Sequence, residues 1–437
     1  MSTVGELEKK HVLRSWAVQG TNKYEEIVGA KGCWFWNQDG KKYLDFSSQL
    51  INTNIGHQHP KVIEAIKEQA DKLCYIAPFY ASEPRAKLAE LIAKHTPGDL
   101  VKSLFTLGGA EANDNAIKIA RAFTGRFKVI SRYRSYHGAT YGAITLTGDP
   151  RRPPVEPGIP GVIRVFEPYC YRCSFGQTYP GCGLECAEHV REVMLYEDPK
   201  SIAAFFVEPV TGTNGVFVPP KEYLPRIREI CDEFGVLLVA DEVMTGWGRT
   251  GKWFGVDNWN VVPDIMTMAK GVTQGYIPLG AVVVNEKIAK FYDDHMLWCG
   301  LTYSGHPLAC AAGVATVKVY EDENLIEHSA KMGEKFKARL LELYDQHPAI
   351  GEVRSIGLFG AIELVKNRET KEPLAPWNGP DPGIMGQISG CLKEKGVYAY
   401  PRWNYLFLAP PIAINDEELK FGLDAVDDCL ELADQVL

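Results

Sequence analysis

Polar and apolar positions follow different rhythms in different parts of the chain. Residues 24–46 alternate, with breaks at 29–32 and 37–41, which predicts short antiparallel strands joined by hairpins. From Pro60 to position 73, Val62, Ile63, Ile66 and Ala70 recur at helical spacing behind a proline suited to a first helical turn. Short apolar runs, among them 103–106, 127–130 and 202–207, then take turns with helical stretches to about residue 315. Runs with no polar alternation predict strands covered on both faces, hence a mostly parallel sheet between helices. Helical spacing returns over 325–344, strands are expected near 351–365 and 397–409, and a closing helix starts at Asp416. The polar, proline-rich stretch 366–382 reads as a surface loop.

This pattern predicts an α/β protein. A large domain over 57–322 would hold the mostly parallel sheet, and a smaller α+β domain would combine both chain ends, 1–56 and 323–437. A length of 437 residues agrees with two domains. The 47 basic and 55 acidic residues give a net charge of −8, so a nucleic-acid partner has no electrostatic support. A polar, charged start and the lack of any run of transmembrane length argue against a membrane and for a cytoplasmic protein.

Candidate chemistry gathers at strand ends. The run Leu238-Val239-Ala240 ends in Asp241, and a second strand candidate leads into Lys270. Parallel strands would present this carboxylate and this amine side by side. That pair suits pyridoxal phosphate, which needs a lysine to hold it as an imine and an anion to keep its ring nitrogen protonated; two ordinary strand-end residues would look the same. Leu107-Gly108-Gly109-Ala110 opens a helix whose N–H groups could close on a phosphate, or it is simply a tight turn. Tyr136 could stack on a ring or pack an interface. Thr302 lies in a hydroxyl-rich turn that could bind phosphate or cap a helix. The turn at Gly108 carries no G-x-G-x-x-G run, so it does not support a nicotinamide enzyme.

GGAEAN at 108–113, SYHG at 135–138, EPVTGTNG at 208–215, ADEVMTGWGRTG at 240–251, the Lys270 segment and TYSGHP at 302–307 together resemble the class III aminotransferases. The likeness runs in order from about residue 24 to the last helix, and implies the pyridoxal-phosphate fold type I. It implies that Lys270 bonds the cofactor and then moves the substrate proton, that Asp241 pairs with the ring nitrogen, and that Val243 packs behind the ring. Tyr136 would stack on the other face, with His137 beside it. Gly109 and Ala110 would offer N–H groups to the phosphate, Ala110 standing where the family usually has serine. Glu208 would lie near the phenolic oxygen, and Thr302 would reach the phosphate of a neighbouring subunit, which implies a homodimer with shared sites. The partners would be an amino donor and a 2-oxo acid, used in ping-pong fashion.

Substrate choice is read from the residues around this centre. Arg402 falls near the position of an arginine that grips an α-carboxylate. Ile51 stands where many ω-amine transaminases carry a tryptophan, which argues against bulky aryl amines. Trp16, Arg151 and Arg152 are candidates for a distal acidic group. The FSSQL and PYCYRC segments look most like taurine aminotransferases that use 2-oxoglutarate or pyruvate; β-alanine, γ-aminobutyrate or ornithine are the alternatives. An aminomutase or decarboxylase of the same fold, or a silent binding module, would share these residues. Cys170, Cys173, Cys182 and Cys186, among eleven cysteines, admit a structural zinc knuckle, reduced thiols or local pairing. No catalytic metal is expected.

Overall fold

A computed structural model describes residues 3–21, 24–380 and 383–437. Its centre is a seven-stranded sheet in the spatial order Leu100–Thr106, Gly280–Asn285, Ile265–Met268, Leu237–Asp241, Ile202–Val207, Lys128–Arg132 and Val162–Val165. Neighbours are parallel except around Gly280–Asn285, which runs antiparallel to both strands beside it. The apolar pattern anticipates the sheet but not this reversal, because a strand buried on both faces reads alike in either direction.

Every residue of Ile202–Val207 is buried, and from Ala204 to Val207 successive side chains serve opposite layers. Ala204 and Phe206 pack with Ala116 and Ala120 of the helix Gly109–Thr124, whereas Phe205 and Val207 pack with Ile227 and Ile230 of Tyr223–Phe234. Because the strands that precede Tyr136, Glu208, Asp241 and Lys270 run in one direction, these residues all emerge at the same sheet edge.

The chain ends meet in a second, smaller assembly. Ile27–Lys31, Trp34–Asn37 and Lys42–Asp45 form the expected antiparallel hairpins, and Val397–Tyr398 adds to them in parallel with Val397 opposite Leu44. Ile350–Ile356, Phe359–Asn367, Tyr405–Leu408 and Tyr400–Arg402 form a further sheet. The helices Ile384–Glu394 and Asp416–Asp434 pack together and are joined by a disulfide between Cys391 and Cys429, which no spacing in the sequence signals. The stretch expected as a surface loop is more than that. Glu372–Pro373 pairs with Phe359–Asn367, and Leu374 and Ala375 are buried; positions 381 and 382 lie outside the described residues. No described helix is long and apolar enough to cross a membrane.

Candidate active site

Asp241 ends its strand in a buried, fully directed position. His137 Nδ1 lies 2.7 Å from its Oδ2, Asn113 Nδ2 donates to the same oxygen at 2.8 Å, and the Val243 N–H donates to Oδ1 at 3.1 Å. Asn113 is itself fixed: it donates to the His137 carbonyl at 2.8 Å and accepts from Thr267 Oγ1 at 2.9 Å. Helix, loop and two strands thus converge on one carboxylate. Such over-determined geometry is what a site needs if a charge must stay in one place.

Lys270 follows the strand Ile265–Met268 with φ 47°, in the left-handed region that a non-glycine residue adopts only where its surroundings impose it. Its Nζ makes no hydrogen bond or ion pair among the described residues. Burial holds the ammonium below its usual range, against the pull of Asp241 and Glu208. Glu208 accepts from the N–H of Tyr136 at 3.0 Å and of Gly212 at 2.8 Å, and burial raises its carboxyl above the ordinary range.

These groups line a cavity of about 580 Å³, together with Trp16, Gly109, Ala110, Tyr136, His137 and Val243. Its chemistry fits pyridoxal phosphate. At Gly108 an added side-chain carbon would meet nothing within 4 Å, so there is open space at the start of the helix Gly109–Thr124. The first N–H groups of that helix have no partner further back in it and can receive a phosphate. At Gly109 the same carbon would fall 2.7 Å from Val243 Cγ2, so glycine lets the helix start and the Val243 wall approach each other. Lys270 and Asp241 supply the amine and the anion.

The substrate-side residues divide. Arg151 stacks over Tyr136, its Cζ 3.5 Å from the ring centroid, and lies 5.9 Å from Trp16. Arg402 is half-buried and shares the carboxylate of Asp149 with Arg151. Arg152 pairs with Glu156, and none of the three arginines is itself among the residues that line the cavity; Arg151 reaches it through Tyr136. Ile51 is buried in the core, and Leu50 and Asn52 line the cavity on either side of it in sequence. Positive φ values at Ser48, Gln49 and Ile51 coil this segment, so no regular periodicity could reveal which side chain faces inward.

Thr302 is exposed, its carbonyl accepting from Tyr75 Oη at 2.9 Å, and it does not line this chain's cavity. Cys170, Cys173, Cys182 and Cys186 line one small cavity as free thiols. Among the described residues no group of three or more His, Cys, Asp or Glu is arranged to hold a metal ion. Burial, with the neighbouring thiols, pushes Cys170 up to about 11 and Cys186 up to about 12, which keeps both protonated at neutral pH. Sequence reasoning missed Asn113, although it sits inside a quoted motif, and Asp149, a lone acid whose partners come from distant segments.

Such an arrangement defines a pyridoxal-phosphate-dependent enzyme. The chain belongs to the aminotransferase class-III family, whose pattern spans residues 16–430. It is 42% identical to the taurine:2-oxoglutarate aminotransferase of Bifidobacterium kashiwanohense, solved with pyridoxal phosphate and glutamate; the match covers 99% of this chain and 98% of that one, with a TM-score of 0.96. It is 37% identical to the 5-aminovalerate aminotransferase of Pseudomonas aeruginosa, over 94% of this chain and 95% of that protein. A leucine/methionine racemase of Thermococcus litoralis is also 37% identical, over 92% and 89%. Overall identity therefore establishes the cofactor and the transaminase class and leaves the substrate pair open.

Proposed function

We propose that this aminotransferase moves the amino group of a small ω-amino acid or amino sulfonate, taurine foremost, to a 2-oxo acid, with 2-oxoglutarate ahead of pyruvate. The observation that carries this reading is the pair Arg151 and Arg402 beside the lysine cavity. Two guanidiniums sharing one carboxylate leave a positive charge for an acidic substrate. Likeness to a taurine:2-oxoglutarate aminotransferase supports the same choice.

Pyridoxal phosphate, when bound, supplies an electron sink for the carbon that loses its proton. The chain's own residues do the rest. Lys270, whose burial favours the neutral amine, would hold the cofactor and then carry the substrate proton on Nζ. Asp241, held by His137 and Asn113, would keep a proton on the ring nitrogen. Tyr136 and Val243 would enclose the ring, Glu208 would stand by its phenolic oxygen, and the N–H groups of Gly109 and Ala110 would receive the phosphate.

The same reading includes a homodimer, in which Thr302 completes the phosphate site of the second copy. Exposed aromatic side chains near it support an interface, since Phe79 is 82% and Trp298 81% exposed, with Tyr75, Tyr80 and Tyr303 also at the surface.

The test is a panel of taurine, β-alanine, γ-aminobutyrate, ornithine and an aryl amine, each followed by bleaching of the cofactor absorbance and by turnover with and without 2-oxoglutarate. Taurine should bleach fastest, and turnover should require the acceptor. A clear win for the aryl amine would refute the acidic-donor reading. Turnover without acceptor would point instead to a racemase, mutase or decarboxylase.

A further inference from the structure

Asp149 has no part in the chemistry derived above, yet it is one of the most heavily bonded acids in the chain. It is 1% exposed, and it follows Gly148, where any side-chain carbon would fall 1.9 Å from the Tyr133 carbonyl oxygen. Glycine there lets the backbone pass close enough to place the carboxylate behind the cavity wall. Arg151 donates to it from its own N–H at 3.0 Å, from Nε to both oxygens at 3.0 Å, and from Nη2. Asn214 Nδ2 donates at 3.3 Å and Arg402 Nη2 at 3.4 Å, both to Oδ2.

The two arginines are held differently. Arg151 is fixed along one edge by Asp149, at Nη2 also by Thr213 Oγ1 at 2.8 Å, and across its face by Tyr136. Its Nη1 makes no hydrogen bond among the described residues. Arg402 stacks on Trp403 at 4.1 Å and, among the described residues, its one hydrogen bond is the long one to Asp149. Burial, and the charges of Arg151 and Arg134 nearby, push its guanidinium below the usual range. Without a shared anion, two such cations would repel each other out of this geometry.

We propose that Asp149 is the positioning residue of an acid-binding subsite: it locks Arg151 against Tyr136 with Nη1 left for the distal carboxylate or sulfonate of the substrate, and holds Arg402 close by a bond weak enough for an incoming carboxylate to take over. The proposal rests on the acidic-substrate reading and adds to it a residue that touches no substrate. It says that selectivity for acidic amines is set from behind the wall.

The experiment uses holoenzyme carrying Asp149→Asn. Glutarate, a dicarboxylate with neither amine nor keto group, is titrated by calorimetry, so binding is read without turnover; its affinity should fall about tenfold. In parallel, the ratio of kcat/KM for taurine to that for 1-aminopropane should fall about tenfold, with the change in KM rather than kcat. In an Arg151→Met background, Asp149→Asn should cause little further loss, because most of the acid's bonds go to that arginine and its single 3.4 Å bond to Arg402 is the weaker part of its hold. Unchanged glutarate affinity, or a full additional loss in the Arg151→Met background, overturns the proposal. Should Asp149→Asn fail to retain the cofactor, Thr213→Val decides: it should weaken glutarate about threefold, and no change overturns the idea. The wild-type preference for taurine over 1-aminopropane tests the acidic-donor reading separately, so the two can fail independently.

Discussion

The two sides of the cavity are built on different principles. On the cofactor side, Asp241 has donors from a helix, a loop and the backbone two residues further on, and Lys270 is buried against two carboxylates. On the substrate side, Trp16 is 62% exposed, Leu50 is 55% exposed, and Arg402 hangs on one bond of 3.4 Å. A side held by several elements tolerates little change, whereas a side made of single contacts can be rebuilt for another substrate at small cost to the fold. That contrast fits relatives of nearly equal identity that bear the names of a transaminase and a racemase.

The largest expected effect breaks the cofactor side. Lys270→Ala removes the one lysine among the described residues that lines the cavity and should lower turnover by at least about a thousandfold, since it takes away both the covalent attachment and the proton carrier. Borohydride treatment of the wild type should add the mass of the reduced cofactor at Lys270, and the variant should show none. A variant that kept more than a tenth of the activity would end the assignment.

A smaller effect should appear across the wall. Arg402→Ala is expected to slow the 2-oxo acid half-reaction about a hundredfold and the taurine half-reaction about threefold, because only the keto acid brings an α-carboxylate to that guanidinium. Single-turnover absorbance changes measure each half separately. Equal losses in the two halves would mean that Arg402 supports the wall as a whole and grips no particular group.

The same contrast explains what could be read from the sequence. The order of motifs led to the family, and strand ends rich in Asp, Glu and Lys led to the cavity, because parallel strands deliver their last residues to one edge. Position within a segment does not show where Ile51 and Arg152 point: one lies in a coil of left-handed residues, the other pairs with a nearer acid, Glu156. Asp149 left no trace, since its role depends on Asn214 and Arg402, far along the chain. The Cys391–Cys429 bond is equally silent, because it joins two helices whose packing decides the pairing. Local pattern finds elements and their ends; contacts between distant side chains need the fold.

The smallest effect concerns Glu242, directly after Asp241 and facing away from the chemistry. Its carboxylate accepts from the N–H groups of Gly255 and Val256, each at 2.8 Å, and from the Thr245 hydroxyl. Those bonds favour the charged form, yet burial outweighs them and pushes the carboxyl up from 4.5 to about 7. Between these values the folded protein keeps a proton that the unfolded chain releases. The unfolded state therefore binds fewer protons, and stability falls as pH rises through about 7. Glu242→Gln keeps the shape and removes the titration. The gap between wild-type and variant thermal midpoints should thus shift in favour of the variant by about 2 kcal/mol of stability from pH 5 to pH 8. A gap that stays constant over this range would show that Glu242 is ionised throughout, with its three donors stronger than its burial.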